Sequence, residues 1–255
     1  MLDDFTPILH TLPGRDTRVY AVGDVHIGAR EADLDGFAKF IDKVRREKGS
    51  YVVIVGDVLN FGTRDSVTNV YEETMPPSAQ VDKAAELLAP VADKILGCVG
   101  GNHEKRGVKS VDLDPLYQVM TLIRKPELYR PNMAFVRVRL KNDATSAKEA
   151  YSLLLVHGRT ENKKRHFANA VEGVDAIVSG HTHNGLVEKP ARIVFTHNNN
   201  VVVRPLVSLT ATSWLNYGGY AAAGLLLPKA TCDPQCLVLE FKNSNDRRGN
   251  IRVAW

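Results

Sequence analysis

Five short polar signatures, each placed after an apolar run, contain the residue types that bind metal ions in proteins. They are GDVH at 23–26, GD at 56–57, GNHE at 101–104, VHG at 156–158 and GHTH at 180–183. In each signature a glycine allows the backbone to turn where a strand ends, while aspartate, asparagine or histidine projects from the turn. Because α/β folds place their sites at strand ends, we expect the five signatures to meet at one sheet edge.

The donors in these signatures suit two transition-metal ions. Carboxylate and amide oxygens mixed with imidazole nitrogens favour manganese, iron, zinc or nickel, and they do not suit calcium. Besides His103, the candidate ligands are Asp24, His26, Asp57, Asn102, His157, His181 and His183. This set exceeds what one catalytic metal uses and is enough for two if one carboxylate bridges them. Asp57 is the bridging candidate.

Each signature alone has an ordinary structural explanation. A single histidine is more often a hydrogen-bonded core residue than a ligand, and GD or GNH is a common turn. However, five of the eight histidines lie in the signatures, which extend from Gly23 to His183. Such dispersal requires tertiary folding to assemble the donors and argues against a local metal-binding tail.

Hydrophobic spacing predicts the elements that position the signatures. We expect helices at 32–46, at 78–93 with Ser78 as N-cap, and at 161–171. Strands are expected at 18–22, 51–55, 94–99, 134–140, 151–156, 176–178, 191–197 and 201–205, with a hairpin turn at 198–200. Two edge strands are expected at 237–242 and 251–253. The alternation of strands and helices in the first half implies a largely parallel sheet.

Composition places the chain among ordinary globular proteins. Hydrophobic residues make up 44% and charged residues 24% of 255 positions, which excludes a disordered or fibrous chain. This length suits one domain over 1–255. The net charge of +4 fits an anionic substrate but is too small for a dedicated nucleic-acid binder, and a slightly basic solvated surface explains it equally well.

Further features bear on location and redox chemistry. The acidic start differs from a signal peptide, and no apolar run is long enough to span a bilayer. We therefore expect a cytoplasmic protein without a membrane partner. Cys98, Cys232 and Cys236 are too few for a disulfide framework, and CDPQC lacks the second pair of a structural zinc site. We interpret all three as incidental thiols.

The ordered series of signatures resembles the calcineurin-like metallophosphoesterase superfamily, over residues 18 to about 190. The resemblance implies an α/β fold in which two mixed β-sheets pack as a sandwich with helices outside, in four layers. It also implies two divalent cations, with manganese first and iron, zinc or nickel as alternatives. One cation would be held by Asp24, His26, Asp57 and His183, and the other by Asp57, Asn102, His157 and His181.

The implied activity is that of a dinuclear phosphoric ester hydrolase. A hydroxide held by both metals would attack phosphorus, and His103 would protonate the leaving alkoxide. His103 could instead serve only as a hydrogen-bonding residue beside the ligands. Asn60 stands where protein-phosphatase-like members carry an Asp that pairs with the catalytic His, and Phe61 replaces their phosphate-binding Arg. An amide can orient His103 but cannot stabilise its positive charge, so protein phosphatase activity is not expected.

Basic and aromatic residues near the signatures bear on the substrate. The basic side chains that could bind an anion are Arg106, Arg159, Lys163, Lys164 and Arg165, although a solvated helix face is the expected place of Lys163 and Lys164. The segment 209–220, with Trp214, Tyr217 and Tyr220, could stack on a base, or it could pack in the core or at an interface.

These residues favour a phosphodiesterase or nuclease acting on nucleic acid or a nucleotide. A phosphomonoesterase acting on a small metabolite could use the same metal site with a different pocket wall. A third alternative is a metal-binding or nucleic-acid-binding module without catalysis. The sequence leaves the oligomeric state and the physiological substrate open.

Overall fold

Two six-stranded sheets and a two-stranded ribbon carry the β-structure of the chain in a computed structural model that describes residues 4–13, 16–64, 66, 70–141, 148–223, 234–240 and 251–254. The strands are β1 (Ile8–Pro13), β2 (Asp16–Val22), β3 (Ser50–Ile54), β4 (Ile95–Val99), β5 (Tyr129–Arg130), β6 (Met133–Lys141), β7 (Lys148–Val156), β8 (Ala176–Ser179), β9 (Val187–Glu188), β10 (Ala191–Phe195), β11 (Val201–Pro205), β12 (Val207–Thr210), β13 (Cys236–Glu240) and β14 (Ile251–Ala254). The helices are α1 (Leu34–Arg46), α2 (Pro77–Leu88), α3 (Glu104–Val111), α4 (Pro115–Leu122), α5 (Glu161–Ala170) and α6 (Gly219–Ala223), with 3-10 turns at Val70–Glu72, Ala89–Lys94 and Pro126–Leu128.

Both six-stranded sheets are mixed. One has the order β14-β13-β2-β3-β4-β5, in which β2 to β5 run parallel and β13 pairs antiparallel with both of its neighbours. The other has the order β1-β6-β7-β8-β12-β9, in which β7, β8 and β12 run parallel. The parallel runs in each sheet bring several strand ends to the same edge.

The two sheets pack face to face with helices outside. Strand β7 shows the layering, because its side chains alternate between two hydrophobic clusters. Leu153 and Leu155 belong to the large core shared by both sheets, whereas Leu154 lies in a second cluster with Ala168 of α5. Helix α1 covers the opposite sheet with Phe37 and its apolar neighbours. The predicted four-layer α/β sandwich is confirmed.

Helix α1 forms because its sequence satisfies both its first turn and its buried face. The Asp33 side chain accepts a hydrogen bond from the Gly36 backbone N–H at 2.9 Å, which caps the helix. Phe37, Phe40 and Val44, together with Ile41, lie on one face at helical spacing and are buried. The observed helix begins two residues later than predicted because Asp33 is its cap.

Several boundary predictions need correction. Helix α2 begins at Pro77 and Pro76 occupies its N-cap position, so Ser78 is not the cap. Proline suits the first helical position because its φ is preset and its missing N–H would have no partner there. Strand β13 is not an edge strand, since it pairs with both β2 and β14. Its predicted residues 241 and 242 lie outside the described residues.

The predicted hairpin at 198–200 is confirmed. Strands β10 and β11 pair antiparallel, and Asn199 has φ of 58° in the turn. Cys98 and Cys236 are buried free thiols, while Cys232 lies outside the described residues. Among the described helices, none has the length and apolar character needed to cross a bilayer. The assignment of 1–255 to one domain stays a prediction.

We predict that Gly97→Ala destabilises the protein by forcing the sheets apart. A Cβ at Gly97 would lie 2.9 Å from Val136 Cγ2 and 3.0 Å from Leu155 Cδ1, on the facing sheet. Overpacking of this kind costs about 1–3 kcal/mol, which urea denaturation would measure. The double variant Gly97→Ala, Val136→Ala removes one clashing methyl and should cost less than the sum of the single changes. If the costs of the two single changes add strictly in the double variant, the clash with Val136 is not the cause of the destabilisation by Gly97→Ala.

Candidate metal centre

The five signatures lie at one edge of the sandwich, where strands of both sheets end. The turns after β2 and β3 stay paired, because Asp24 N–H donates to Gly56 O at 3.0 Å and His26 N–H donates to Asp57 O at 3.1 Å. On the other sheet, Gly180 N–H donates to His157 O at 3.0 Å. Parallel strand ends are thereby extended by paired turns, which bring the polar side chains together.

Most of these turns use left-handed backbone at residues that carry a side chain. The φ values are 53° at Asp24 and His26, 50° at Asp57, 77° at His181 and 57° at His183. Such conformations cost about 1–3 kcal/mol each and persist where the surroundings enforce them, often at functional sites. Five of the seven predicted ligands share this strain.

Two glycines allow the turns to approach one another. A Cβ at Gly56 would lie 2.5 Å from Gly101 N, and one at Gly101 would lie 2.1 Å from Asp57 Oδ1. Gly56 also has φ of 85°, in the left-handed region. The GD and GNHE turns can therefore touch only because both positions lack a side chain.

The donors converge into three overlapping groups, each with its ligand atoms within 4.8 Å of one another. One group contains Asp24, His26 and His183, and another contains Asp57, His157 and His181. These two match most of the predicted sets for the two cations. The third group joins His26 and Asp57 to His103. Asn102 completes the cluster, since its Oδ1 lies 2.9 Å from His157 Nε2.

The first group has the donor chemistry of a cation site. His26 Nε2 and His183 Nε2 face each other at 3.5 Å, and His183 Nε2 lies 3.2 Å from Asp24 Oδ1. Burial and the neighbouring His103 lower the pKa of His26 to about 3, so its ring is neutral and keeps a lone pair. Two imidazole nitrogens that face each other beside a buried carboxylate are well suited to a shared positive ion.

The second group is organised around Asp57. Its Oδ1 accepts a hydrogen bond from His103 N–H at 2.8 Å, which leaves Oδ2 facing His157 Nε2 at 3.1 Å. His157 Nε2 also faces the Asn102 amide oxygen, so two oxygens converge on one position. Burial disfavours the charged ring, yet Asp57 outweighs it and raises the pKa of His157 to about 9. The surroundings of this position thus favour positive charge.

Asp24 and Asp57 are almost fully buried, with exposures of 0% and 2%. Both oxygens of Asp24 face the His181 N–H, at 2.9 and 3.1 Å. Burial alone would raise the pKa of each carboxyl, but His183 beside Asp24 and His157 beside Asp57 hold both pKa values below their usual range. The two side chains are therefore anionic ligand candidates. Their assignment to particular metals stays a prediction.

Sequence reasoning gave Glu104 no role, although the structure places it beneath the centre. Its carboxylate is buried and accepts hydrogen bonds from the backbone N–H groups of Asp57, Leu59 and Gly101, at 2.9 to 3.0 Å. Burial and the nearby Asp57 raise the pKa of Glu104 to about 7. One side chain thus joins the GD turn to the GNHE turn. The only sequence signal was its position immediately after the GNH turn.

Asn60 orients His103 through its backbone and not through its amide. His103 Nδ1 lies 2.8 Å from Asn60 O, and a carbonyl can only accept, so Nδ1 carries a proton. The Asn60 amide instead donates to Glu73 Oε1 at 2.7 Å. Burial lowers the pKa of His103, although Asp57 opposes the shift. His103 is thus oriented by a main-chain contact, and the Asn60 amide, which could have oriented it, is bound elsewhere.

Lys164 does not lie on a solvated helix face, contrary to expectation. Only 7% of its side chain is exposed, and its ammonium donates to Gly180 O at 2.7 Å and to Thr182 Oγ1 at 3.0 Å. It also pairs with Glu161 at 3.1 Å. The expectation failed because the covering GHTH turn is distant in sequence. Lys164 connects α5 to the turn that carries His181.

The other basic residues are distributed differently. Arg159 and Lys163 are exposed, and Arg165 forms a surface ion pair with Glu188 at 2.6 Å. Arg106 is half-buried and contacts the ring of His103. Of the five predicted anion-binding residues, Arg106 is the one that the structure places against His103.

The segment 209–220 contributes to the core. Leu209 belongs to β12, and Trp214 is buried with its ring 5.1 Å from Phe37. The Trp214 N–H donates to Asp24 O at 3.1 Å, so the segment fixes one ligand turn from behind. Tyr217 is exposed, and the side chain of Tyr220 is outside the described residues. Core packing is therefore the correct alternative for Trp214.

Comparison with known proteins agrees with the signatures. A family model described as calcineurin-like phosphoesterase matches residues 17–185, which is more than half of the chain. Among solved structures, the calcineurin-like phosphoesterase YfkN from Bacillus subtilis shares 13% identity, with 94% of this chain and 90% of that chain covered and a TM-score of 0.48. A conserved uncharacterized protein from Streptococcus pneumoniae, a predicted phosphoesterase, shares 14% identity, with coverages of 94% and 97% and a TM-score of 0.38. Vps29 from Chaetomium thermophilum shares 12% identity, with coverages of 93% and 95% and a TM-score of 0.41. No curated protein matches the chain.

We predict that Glu104→Ala lowers the free energy of unfolding by more than about 3 kcal/mol, because it leaves three buried N–H donors without their acceptor. Urea denaturation with circular dichroism would measure the change. Glu86→Ala is the matched control, since Glu86 forms an exposed pair with Lys83 and should change stability by less than about 1 kcal/mol. Equal effects of the two substitutions would contradict the role given to Glu104.

We predict that Lys164→Met weakens manganese binding by about 10- to 100-fold, as loss of a group that orients ligands commonly does. The change removes the ammonium that holds the Gly180 carbonyl and the Thr182 hydroxyl beside His181. Calorimetric titration with Mn²⁺ would measure it. Lys163→Met is the control, because Lys163 is the exposed neighbour on the same helix. An unchanged affinity of Lys164→Met for Mn²⁺ would contradict the role of Lys164 in positioning the turn that carries His181.

Proposed function

We propose that this chain, which belongs to the calcineurin-like phosphoesterase family, is a dinuclear metal-dependent hydrolase of phosphate esters. The observation that supports the proposal most directly is the meeting of two donor groups at one edge of the sandwich, with Asp57 beside both. Donor sets of this size exceed the need of a single catalytic ion. They suit a pair of divalent cations, of which manganese is our first choice and iron, zinc or nickel are alternatives.

The residues divide between the two ions as follows. We assign Asp24, His26, Asp57 and His183 to one ion, and Asp57, Asn102, His157 and His181 to the other. The position of Asp57 supports the shared role, because it has a ligand atom within 4.8 Å of one on His26, from the first set, and its Oδ2 lies 3.1 Å from His157 Nε2, from the second. When bound, such ions activate water and neutralise charge on the phosphate oxygens.

His103 is the candidate proton donor to the leaving oxygen. Its ring is held on one side by Asn60 O at 2.8 Å, which fixes the orientation of Nδ1 and turns Nε2 toward Asp57. His103 is half-buried, with 14% of its side chain exposed, so a substrate can reach it. Because Nδ1 carries the ring proton in the free protein, Nε2 must first take up a proton before it can give one to the leaving oxygen.

We favour phosphodiesters, with nucleic acid or a nucleotide as the substrate class. The carboxylate that would pair with His103 in a protein phosphatase is replaced by Asn60, whose amide is bound to Glu73. Phe61, at the position of a phosphate-binding arginine in those enzymes, is buried with 6% exposure and brings no charge. The net charge of +4 is compatible with an anionic substrate.

The test compares hydrolysis of bis-p-nitrophenyl phosphate and p-nitrophenyl phosphate with added manganese. We expect turnover of the diester, a loss of about 10²- to 10⁴-fold in kcat for His103→Ala, and no turnover for Asp57→Asn. His197→Ala is the matched control, because His197 is exposed in the β10–β11 turn. It should retain the activity of the unsubstituted protein.

Other outcomes would redirect the proposal. Preference for the monoester would indicate a phosphatase acting on a small metabolite. If two metal ions bound and no divalent metal supported turnover of either ester, the chain would instead be a binding module without catalysis. Nucleic acids would be screened as substrates only if the protein hydrolyses the diester.

A further inference from the structure

Arg106 lies beside the atom of His103 that faces the centre. It is on the first turn of α3, half-buried, and its side chain points back toward the GNHE turn. Its Nη1 donates to Asn60 O at 2.9 Å, and its Nη2 lies 3.1 Å from His103 Nε2. The guanidinium and the imidazole therefore share one carbonyl and contact each other.

The direction of these hydrogen bonds follows from the chemistry of the groups. Because Asn60 O can only accept, His103 Nδ1 is the protonated nitrogen and Nε2 offers a lone pair. The guanidinium has only donors, so Nη2 donates to that lone pair. Arg106 thus occupies the face of His103 that must be open to a leaving oxygen.

Helix α3 is packed so that Arg106 is held in this place. The ring of Phe61 lies against the helix, where a Cβ on Gly107 would come within 2.8 Å of Phe61 Cε1. Gly107 is buried and Phe61 is 6% exposed. The close packing at Gly107 fixes the backbone next to Arg106, and only the guanidinium end needs to move.

A guanidinium in this position suits a phosphate group. Its planar arrangement of donors matches two phosphate oxygens, and partial burial strengthens the contact relative to water. The contact to the neutral His103 Nε2 is easily exchanged for one to an anionic oxygen, because charge-assisted hydrogen bonds are roughly twice as strong as neutral ones.

We propose that Arg106 binds a non-bridging phosphate oxygen of the substrate, and that its Nη2 leaves His103 Nε2 when it does so. Binding of the phosphate and exposure of His103 Nε2 are then a single event. Arg106 is a substrate-binding residue that supplies the positive charge which Phe61 lacks. The inference rests on the proposed function for its substrate, a phosphate ester, but phosphate binding can be measured without turnover.

The experiment titrates the manganese-loaded protein with inorganic phosphate by calorimetry. Arg106→Gln should weaken phosphate binding by about 10- to 100-fold, the usual loss for a charge-assisted contact. Arg106→Lys should fall between the two, because it keeps the charge and loses the planar fork. Lys105→Gln is the matched control, since Lys105 is the exposed neighbour of Arg106 and is hydrogen-bonded to Asn132. This variant should bind phosphate as tightly as the unsubstituted protein. Manganese content and thermal midpoint are measured for each variant.

The remaining outcomes separate this inference from the hydrolase proposal. Unchanged phosphate affinity in Arg106→Gln, or no phosphate binding by the unsubstituted protein, would overturn it. So would loss of manganese in both Arg106 variants, because Arg106 would then be a structural residue of the turn. Arg106-dependent phosphate binding without turnover of any ester would support this inference and defeat the hydrolase proposal.

Discussion

Two buried carboxylates impose the constraint on which the rest of the centre depends. Asp24 and Asp57 are removed from water, and an isolated buried charge is too costly to keep unless it is paired and hydrogen-bonded. Each is therefore surrounded by backbone N–H donors and imidazoles drawn from distant parts of the chain. His181 N–H serves Asp24, and His103 N–H serves Asp57. The hydrogen-bond and charge partners of Asp24 and Asp57 come from separate turns, so these turns must meet at the two carboxylates.

The meeting of the turns has a conformational cost that the surrounding structure must offset. Left-handed backbone at Asp24, Asp57 and His181 is unfavourable in isolation. Parallel strands fix the start of each turn, and two covered side chains, one acidic and one basic, fix the rest. Glu104 binds three backbone N–H groups under the GD and GNHE turns, while Lys164 binds a carbonyl and a hydroxyl under the GHTH turn. The strain is thus maintained by contacts on both sheets.

The sequence predicts the donors better than it predicts their supports. The ligand candidates were identifiable because each aspartate, asparagine or histidine closely follows an apolar run. Both features can be read from a short stretch of sequence. Glu104 and Lys164 were not, because their partners are backbone groups far away in sequence, and any residue can supply a backbone group. Lys164 also lies between Lys163 and Arg165, so the local pattern gives no sign that one of three cations is covered. Likewise, Asn60 supports His103 with a carbonyl that every residue possesses.

The same reasoning explains which elements of the fold were predictable. Strands β2, β3 and β7 each end in an apolar run, at 19–22, 52–54 and 153–156, because both of their faces are buried there, and that pattern is visible locally. Strand β1 was missed, because its burial depends on pairing with β6, more than a hundred residues away. The predicted cap of α2, Ser78, lies two residues after the observed cap, Pro76. Local chemistry therefore predicts an element, and long-range pairing decides its limits.

The mixed donor set follows from this topology. Asp24, Asp57 and Asn102 follow β2, β3 and β4 of one sheet, so that sheet supplies all three oxygen donors. His157, His181 and His183 follow β7 and β8 of the other sheet, which supplies imidazoles. Among the seven ligand candidates, His26 is the one histidine from the first sheet. The centre lies where the sheets face each other, and contacts such as His157 Nδ1 to Val55 O at 2.7 Å cross between them. The packing of the two sheets therefore sets the distances from the oxygen donors of one sheet to His157, His181 and His183 of the other.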